Sequence, residues 1–119
     1  MENIMPKDYQ AITSDITEYI GKLKKAAPDA IAGFSAMAQG ATKDGVLDEK
    51  TKELIALAIG VSTRCDGCIG FHTKKLHSLG ATSEEIAETL GVAVYMGGGP
   101  SLMYAADAMR AYEQFAQPN

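Results

Sequence analysis

Several features that would settle a function outright are missing from this chain. No apolar run approaches the roughly 20 residues that span a bilayer, so no membrane-spanning helix is expected. Positive charge is sparse and scattered, 11 Lys and Arg against 15 Asp and Glu for a net charge of −4. A nucleic-acid reader concentrates basic residues on one face, so that class is set aside. The one basic run, "KLKK" at Lys22 to Lys25, reads as a solvated helix end. The N-terminal "MENIMPKDYQ" carries acids early and has no apolar h-region, so a secretory leader is not expected. The expected compartment is the cytoplasm, where disulfides seldom serve as structural staples. Linkers, low-complexity tracts and a second hydrophobic unit are also missing. Residues 1–119 therefore read as a single domain, long enough to hide roughly 65% of its unfolded surface without a metal or a crosslink.

β-alternation is missing as well, and what is present is helical. Alanine is abundant and apolar residues recur three and four positions apart, which predicts helix after helix. Punctuation divides the chain into about six. The first runs from about Asp8 to Ala26 with Ile12, Ile16, Ile20 and Leu23 along one stripe. Pro28 ends it and suits the first turn of a second, which carries Ile31, Phe34 and Met37. Asp48 reads as the N-cap of a third, with acids in its first turn. Ser62 or Thr63 offers a cap for a fourth, closed by Gly80. Thr82 and Glu85 form a capping box for a fifth, bearing Ile86, Leu90 and Val94. "GGGP" at Gly97 to Pro100 lacks the strand that precedes a phosphate-binding loop and reads as a tight connection. Pro100 or Ser101 then opens the last helix. The fold class is all-α, a compact bundle.

Both cysteines and both histidines fall in one stretch, "STRCDGCIGFHTKKLHSLG", from Ser62 to Gly80. At about 100° per residue, with Cys65 at zero, Cys68 falls near 300°, His72 near 340° and His77 near 120°. Cys65, Cys68 and His72 thus share one helix face and His77 points elsewhere, as a surface histidine would. Zinc is disfavoured because a tetrahedral structural site draws its ligands from two elements. A site made of Cys65, Cys68, His72 and an outside ligand stays open beside a working thiol pair. So does the plain alternative, two cysteines serving as small buried hydrophobes. The thiol-pair reading gains from position. Three-residue spacing at a helix start lets the sulfurs bridge, the helix N-terminus favours thiolate, and Arg64 adds positive charge nearby if its side chain turns inward. Glu53, one helix upstream in "TKELIALAIGV", reads either as a solvated position or as a carboxylate that reaches the cysteines to relay protons. The six methionines and Tyr95, Tyr104 and Tyr112 read as packing, in the core or between subunits.

Glu53, eleven residues, Cys65, two residues, Cys68, three residues, His72: this spacing resembles the signature of the alkylhydroperoxidase D family, within the carboxymuconolactone decarboxylase superfamily. "KELIALAIGVSTRCDGCIGFHTKKLHSLGATSEEIAETLGVAV" resembles the superfamily core, and "GGGPSLMYAADAMRAYEQF" the end of its small single-domain members. The resemblance implies an all-α homo-oligomer, a trimer or hexamer, that reduces hydroperoxides with no cofactor and no metal. It implies Cys68 as the peroxidatic thiolate, Cys65 as the resolving thiol, and Glu53 with His72 as the proton relay. A partner dithiol, lipoyl- or thioredoxin-like, would restore the reduced pair. One departure stands out: the family's peroxidases carry a second histidine where this chain has Gly67. That keeps a non-enzymatic redox-sensing oligomer in view; lactone decarboxylation, the superfamily's other activity, is a further expectation, although the resemblance implies that its decarboxylases typically lack the C-x-x-C.

Overall fold

The computed structural model describes residues 6–117. Six helices follow one another, with no strand among the described residues: α1 Tyr9–Ala26, α2 Pro28–Thr42, α3 Glu49–Ser62, α4 Asp66–Ser78, α5 Ser83–Gly97 and α6 Gly99–Ala116. The N-caps follow the physical chemistry of helix starts. Asp8 accepts from the Ala11 N–H at 3.1 Å and Asp48 from the Thr51 N–H at 2.8 Å, each satisfying a donor with no partner inside its helix. Thr82 and Glu85 close the expected capping box, at 3.1 and 2.9 Å. Pro28 occupies the first turn of α2.

Two helix ends share one device. After α4, Gly80 turns left-handed at φ 79°; its N–H donates to the His77 carbonyl and the next N–H, of Ala81, to Leu76. This is a Schellman closure. The same pair of bonds ends α3, from Arg64 to Val61 and from Cys65 to Gly60, but there the left-handed residue is Arg64, at φ 58°. That closure corrects one sequence expectation. Ser62 and Thr63 do not cap α4; they complete α3, with the Thr63 hydroxyl donating back to the Ile59 carbonyl at 3.0 Å. The cap of α4 is Cys65. The last helix begins at Gly99, ahead of Pro100, from a Gly98 at φ 73°.

The core lies among α3 to α6. Leu57 and Val61 meet Ile69 and Leu76 of α4, Ile86, Leu90 and Ala93 of α5, and Ala105, Ala108 and Ala111 of α6. The alanine row lets α6 pack closely against α4 and α5. Lys50 and Glu85 pair across α3 and α5 at 2.7 Å. The apolar stripe of α1 is only half used: Ile12 and Ile16 are partly buried, Ile20 and Leu23 exposed. Its N-terminal half reaches α4 over Gly70, where a Cβ would lie 2.6 Å from Thr13 Cγ2 and 3.3 Å from Tyr9 Cδ1. Beyond Ile16 the α1–α2 hairpin leaves the core, and no residue of α2 is buried.

Candidate functional site

The site is assembled at the start of α4, where two close approaches meet. Gly60 on α3 brings the backbone against Cys68, since a Cβ there would stand 2.9 Å from Cys68 Cβ. Gly67 receives Ile16 of α1, whose Cδ1 would be 2.9 Å from an added Cβ. The start of α4 is therefore held between α3 and α1 at the level of its cysteines.

Cys65 and Cys68 are joined as a disulfide, their Cα atoms 5.2 Å apart. Cys65 stands at the N-cap and its sulfur accepts the Cys68 N–H at 3.1 Å. A sulfur in the place of a capping oxygen faces the positive end of a 13-residue helix, an environment that favours negative charge on it once the bond is reduced. Both cysteines are partly exposed.

His72 is one turn beyond Cys68, on the same face of α4. Its Nδ1 meets Glu53 Oε1 at 3.1 Å. Glu53 lies on the buried stripe of α3 with Leu57, Gly60 and Val61, and only 5% of its side chain is exposed. It is therefore not a solvated helix position. A buried carboxylate requires a hydrogen-bonded partner, and the imidazole is that partner. With Nδ1 turned to the carboxylate, Nε2 is left for another group. The four residues singled out in the sequence thus form two bonded pairs, Cys65 with Cys68 and Glu53 with His72. Glu53 reaches the imidazole, and its hydrogen bond is to His72 and to neither cysteine.

His77 is exposed and lies edge-on to Tyr112 at 5.8 Å between centroids. A groove of about 430 Å³ between α1, α4 and α6 includes His77, Lys74 and Ser14, and none of the four site residues. Among the described residues no three His, Cys, Asp or Glu side chains are grouped as a metal ion would require.

Sequence reasoning missed a second cluster at the same helix end. Asp66, the first residue of α4, accepts from the Tyr9 hydroxyl at 2.7 Å and from Lys7 Nζ at 3.0 Å. Lys7 also donates to Asp107 of α6 at 2.9 Å. Burial, then the bond to Asp66, hold the Tyr9 hydroxyl well above the usual tyrosine range. The bond to Asp107 raises Lys7, against a smaller opposing effect of burial. Only Asp66 offered a signal, as an acid at a helix start; its partners lie 57 and 59 residues away.

The sequence model of the carboxymuconolactone decarboxylase family matches residues 28–111. A Legionella pneumophila protein of that family, known from a crystal structure, is 59% identical over 92% of this chain and 97% of its own, with a TM-score of 0.90. A Thermotoga maritima member, described as a candidate for the antioxidative response, is 27% identical over 86% of this chain and 87% of its own, with a TM-score of 0.77. A Cupriavidus necator protein is 38% identical over 92% of this chain and 96% of its own length.

Proposed function

This chain belongs to the carboxymuconolactone decarboxylase family, and on that premise we propose that it is a thiol-dependent peroxidase or disulfide reductase acting on organic hydroperoxides. The observation that carries the reading is the Cys65–Cys68 bond at a helix N-terminus, with a partly exposed imidazole one turn away that is bonded to a buried carboxylate. Cys68, as thiolate, attacks the O–O bond; the distal oxygen stays on sulfur as sulfenic acid and the alcohol leaves with a proton. The Cys65 thiol attacks that sulfenic sulfur and expels water, giving the disulfide. A partner dithiol, lipoyl- or thioredoxin-like, returns two electrons by exchange and becomes a disulfide itself. His72 exchanges the protons through Nε2. Glu53 orients the ring through Nδ1, so the carboxylate acts through the imidazole and its charge is not set directly against a thiolate.

Gly67 stands where related peroxidases carry a histidine, and the methyl end of Ile16 lies beside it. The relay in this chain is a single imidazole. Turnover slower than in those peroxidases follows from that, and it favours the redox-sensing oligomer as the second reading. Association is part of both. Phe34 and Met37 on α2 are about two-thirds exposed, and Tyr95, Met96, Leu102 and Met103 are exposed as well. Apolar surface of this extent fits burial against further copies of the chain, as a trimer or hexamer. Among the described residues no helix is long and apolar enough to cross a membrane, and the proposed compartment is the cytoplasm.

The test is thiol counting on the reduced protein before and after one equivalent of an organic hydroperoxide. The parent should lose two thiols together and Cys65→Ser should stall with an oxidised Cys68. Cys68→Ser should lose all turnover with a dithiol reductant; undiminished turnover in that variant overturns the proposal. Oxidation of both thiols with no cycling under any dithiol would replace the enzyme with the sensor.

A further inference from the structure

The two residues between the cysteines, Asp66 and Gly67, play no part in the chemistry above, yet Asp66 places a carboxylate next in the chain to Cys65. A carboxylate near a dithiol opposes ionisation of either sulfur. Here that charge is not left free. Asp66 Oδ1 is shared by the Tyr9 hydroxyl and by Lys7 Nζ. Lys7 is held in turn by Asp107 and stands 4.8 Å from the centre of the Tyr104 ring. Tyr9 is fully buried, which fixes its hydroxyl, and Gln114 of α6 holds the segment by accepting the Tyr9 N–H and donating to the Lys7 carbonyl, both at 2.8 Å. The stretch before α1 is thus strapped across α6 so as to deliver one ammonium group to the first residue of the redox helix.

We propose that Lys7 is a positioning residue for the dithiol chemistry: by holding Asp66 it offsets the carboxylate beside Cys65 and keeps the cysteine pair more acidic than the C-x-x-C segment alone would make it. The inference rests on the thiol reading above. Other charged groups around the pair are Glu53 from α3, His72 on α4 itself, Asp107 from α6 and the exposed Arg64 in the α3–α4 turn. Among the described residues, Lys7 is the one cation hydrogen-bonded to a side chain between the cysteines.

The experiment measures the rate of iodoacetamide alkylation of the reduced full chain against pH, in the parent and in Lys7→Met, Lys7→Arg and Asp66→Asn. Below the thiol pKa, Lys7→Met should react about threefold more slowly and Asp66→Asn about threefold faster, a shift of about half a pKa unit, as one nearby charge in a well-screened setting produces. Lys7→Arg should follow the parent, and all four should share one limiting rate at high pH. A purely structural role for Lys7 would leave the midpoints of these profiles unmoved. Superimposable profiles for Lys7→Met, Asp66→Asn and the parent overturn the proposal, as does a shift of both variants in the same direction. If Lys7→Met does not fold, Lys7→Gln takes its place in the comparison, and an unshifted Asp66→Asn overturns the proposal by itself. Hydroperoxide turnover in the parent is recorded separately: shifted profiles without turnover remove the peroxidase reading and support this one, and turnover with unshifted profiles does the reverse.

Discussion

Adding one methyl group at Gly60 should have the opposite effect from adding it at Gly21, although both glycines lie inside helices. In a helix interior Gly→Ala stabilises by about 0.8–1 kcal/mol, because alanine has less backbone freedom to lose. At Gly21 of α1 nothing lies within 4 Å of the new Cβ, so that gain should be realised in full. At Gly60 the Cβ would stand 2.9 Å from Cys68 Cβ, 3.7 Å from the Cys68 carbonyl carbon and 3.8 Å from the Ile69 nitrogen. Carbon atoms prefer about 3.5–4.0 Å, so α3 and α4 must part by something under 1 Å. The obstructing atoms are backbone and the root of a disulfide-bonded side chain, and no rotamer change removes them. Overpacking of this kind costs about 1–3 kcal/mol, which exceeds the propensity gain. Urea unfolding of the oxidised protein at one protein concentration reads the outcome. With a slope of about 1–3 kcal/mol/M, Gly60→Ala should unfold at lower urea by some tenths of 1 M to about 1 M, and Gly21→Ala at higher urea by a few tenths of 1 M. A Gly60→Ala midpoint at or above that of the parent refutes the close approach of α3 to Cys68, and with it the geometry proposed for the site.

Three further outcomes are expected. Tyr9 has its hydroxyl pKa raised in the fold, chiefly by burial, so its contribution to stability is complete below the unfolded pKa of about 10 and is lost as pH climbs toward the folded value; the parent should lose about 1.4 kcal/mol per pH unit above about pH 10 from this group, and Tyr9→Phe should lack that slope in pH-dependent unfolding. Arg64→Gly removes a side chain from a left-handed backbone position and should raise the unfolding midpoint by the equivalent of up to about 1 kcal/mol, the left-handed penalty less the extra chain entropy of glycine; a lower midpoint would mean that the Arg64 side chain supplies more than its conformation costs. Glu53→Gln keeps the volume and one acceptor for His72 but not the charge, so hydroperoxide turnover should fall by roughly tenfold or more while the fold survives; unchanged turnover under a saturating dithiol would take Glu53 out of the mechanism.

Local signals along the chain sufficed for the helices because caps and periodicity act over one turn. Asp48, Thr82 with Glu85, Pro28 and Gly80 each perform the role their chemistry suits, since a free helix N–H or carbonyl is satisfied within a few residues. The face shared by Cys65, Cys68 and His72 was legible for the same reason. The exception, the start of α4, shows where local reading stops: Thr63 is a good cap by type, yet α3 and its reversal at Arg64 claim it, and a cysteine becomes the cap. Two things were decided only when distant segments met. Whether Glu53 is a surface acid or the buried partner of His72 depends on which stripe of α3 turns inward, and Gly60, by admitting α4, settles that. The strap from Lys7 and Tyr9 to Asp66 spans nearly half the chain, and no periodicity records it. Backbone chemistry is written residue by residue, whereas a charge meets its counter-charge only after the core has packed.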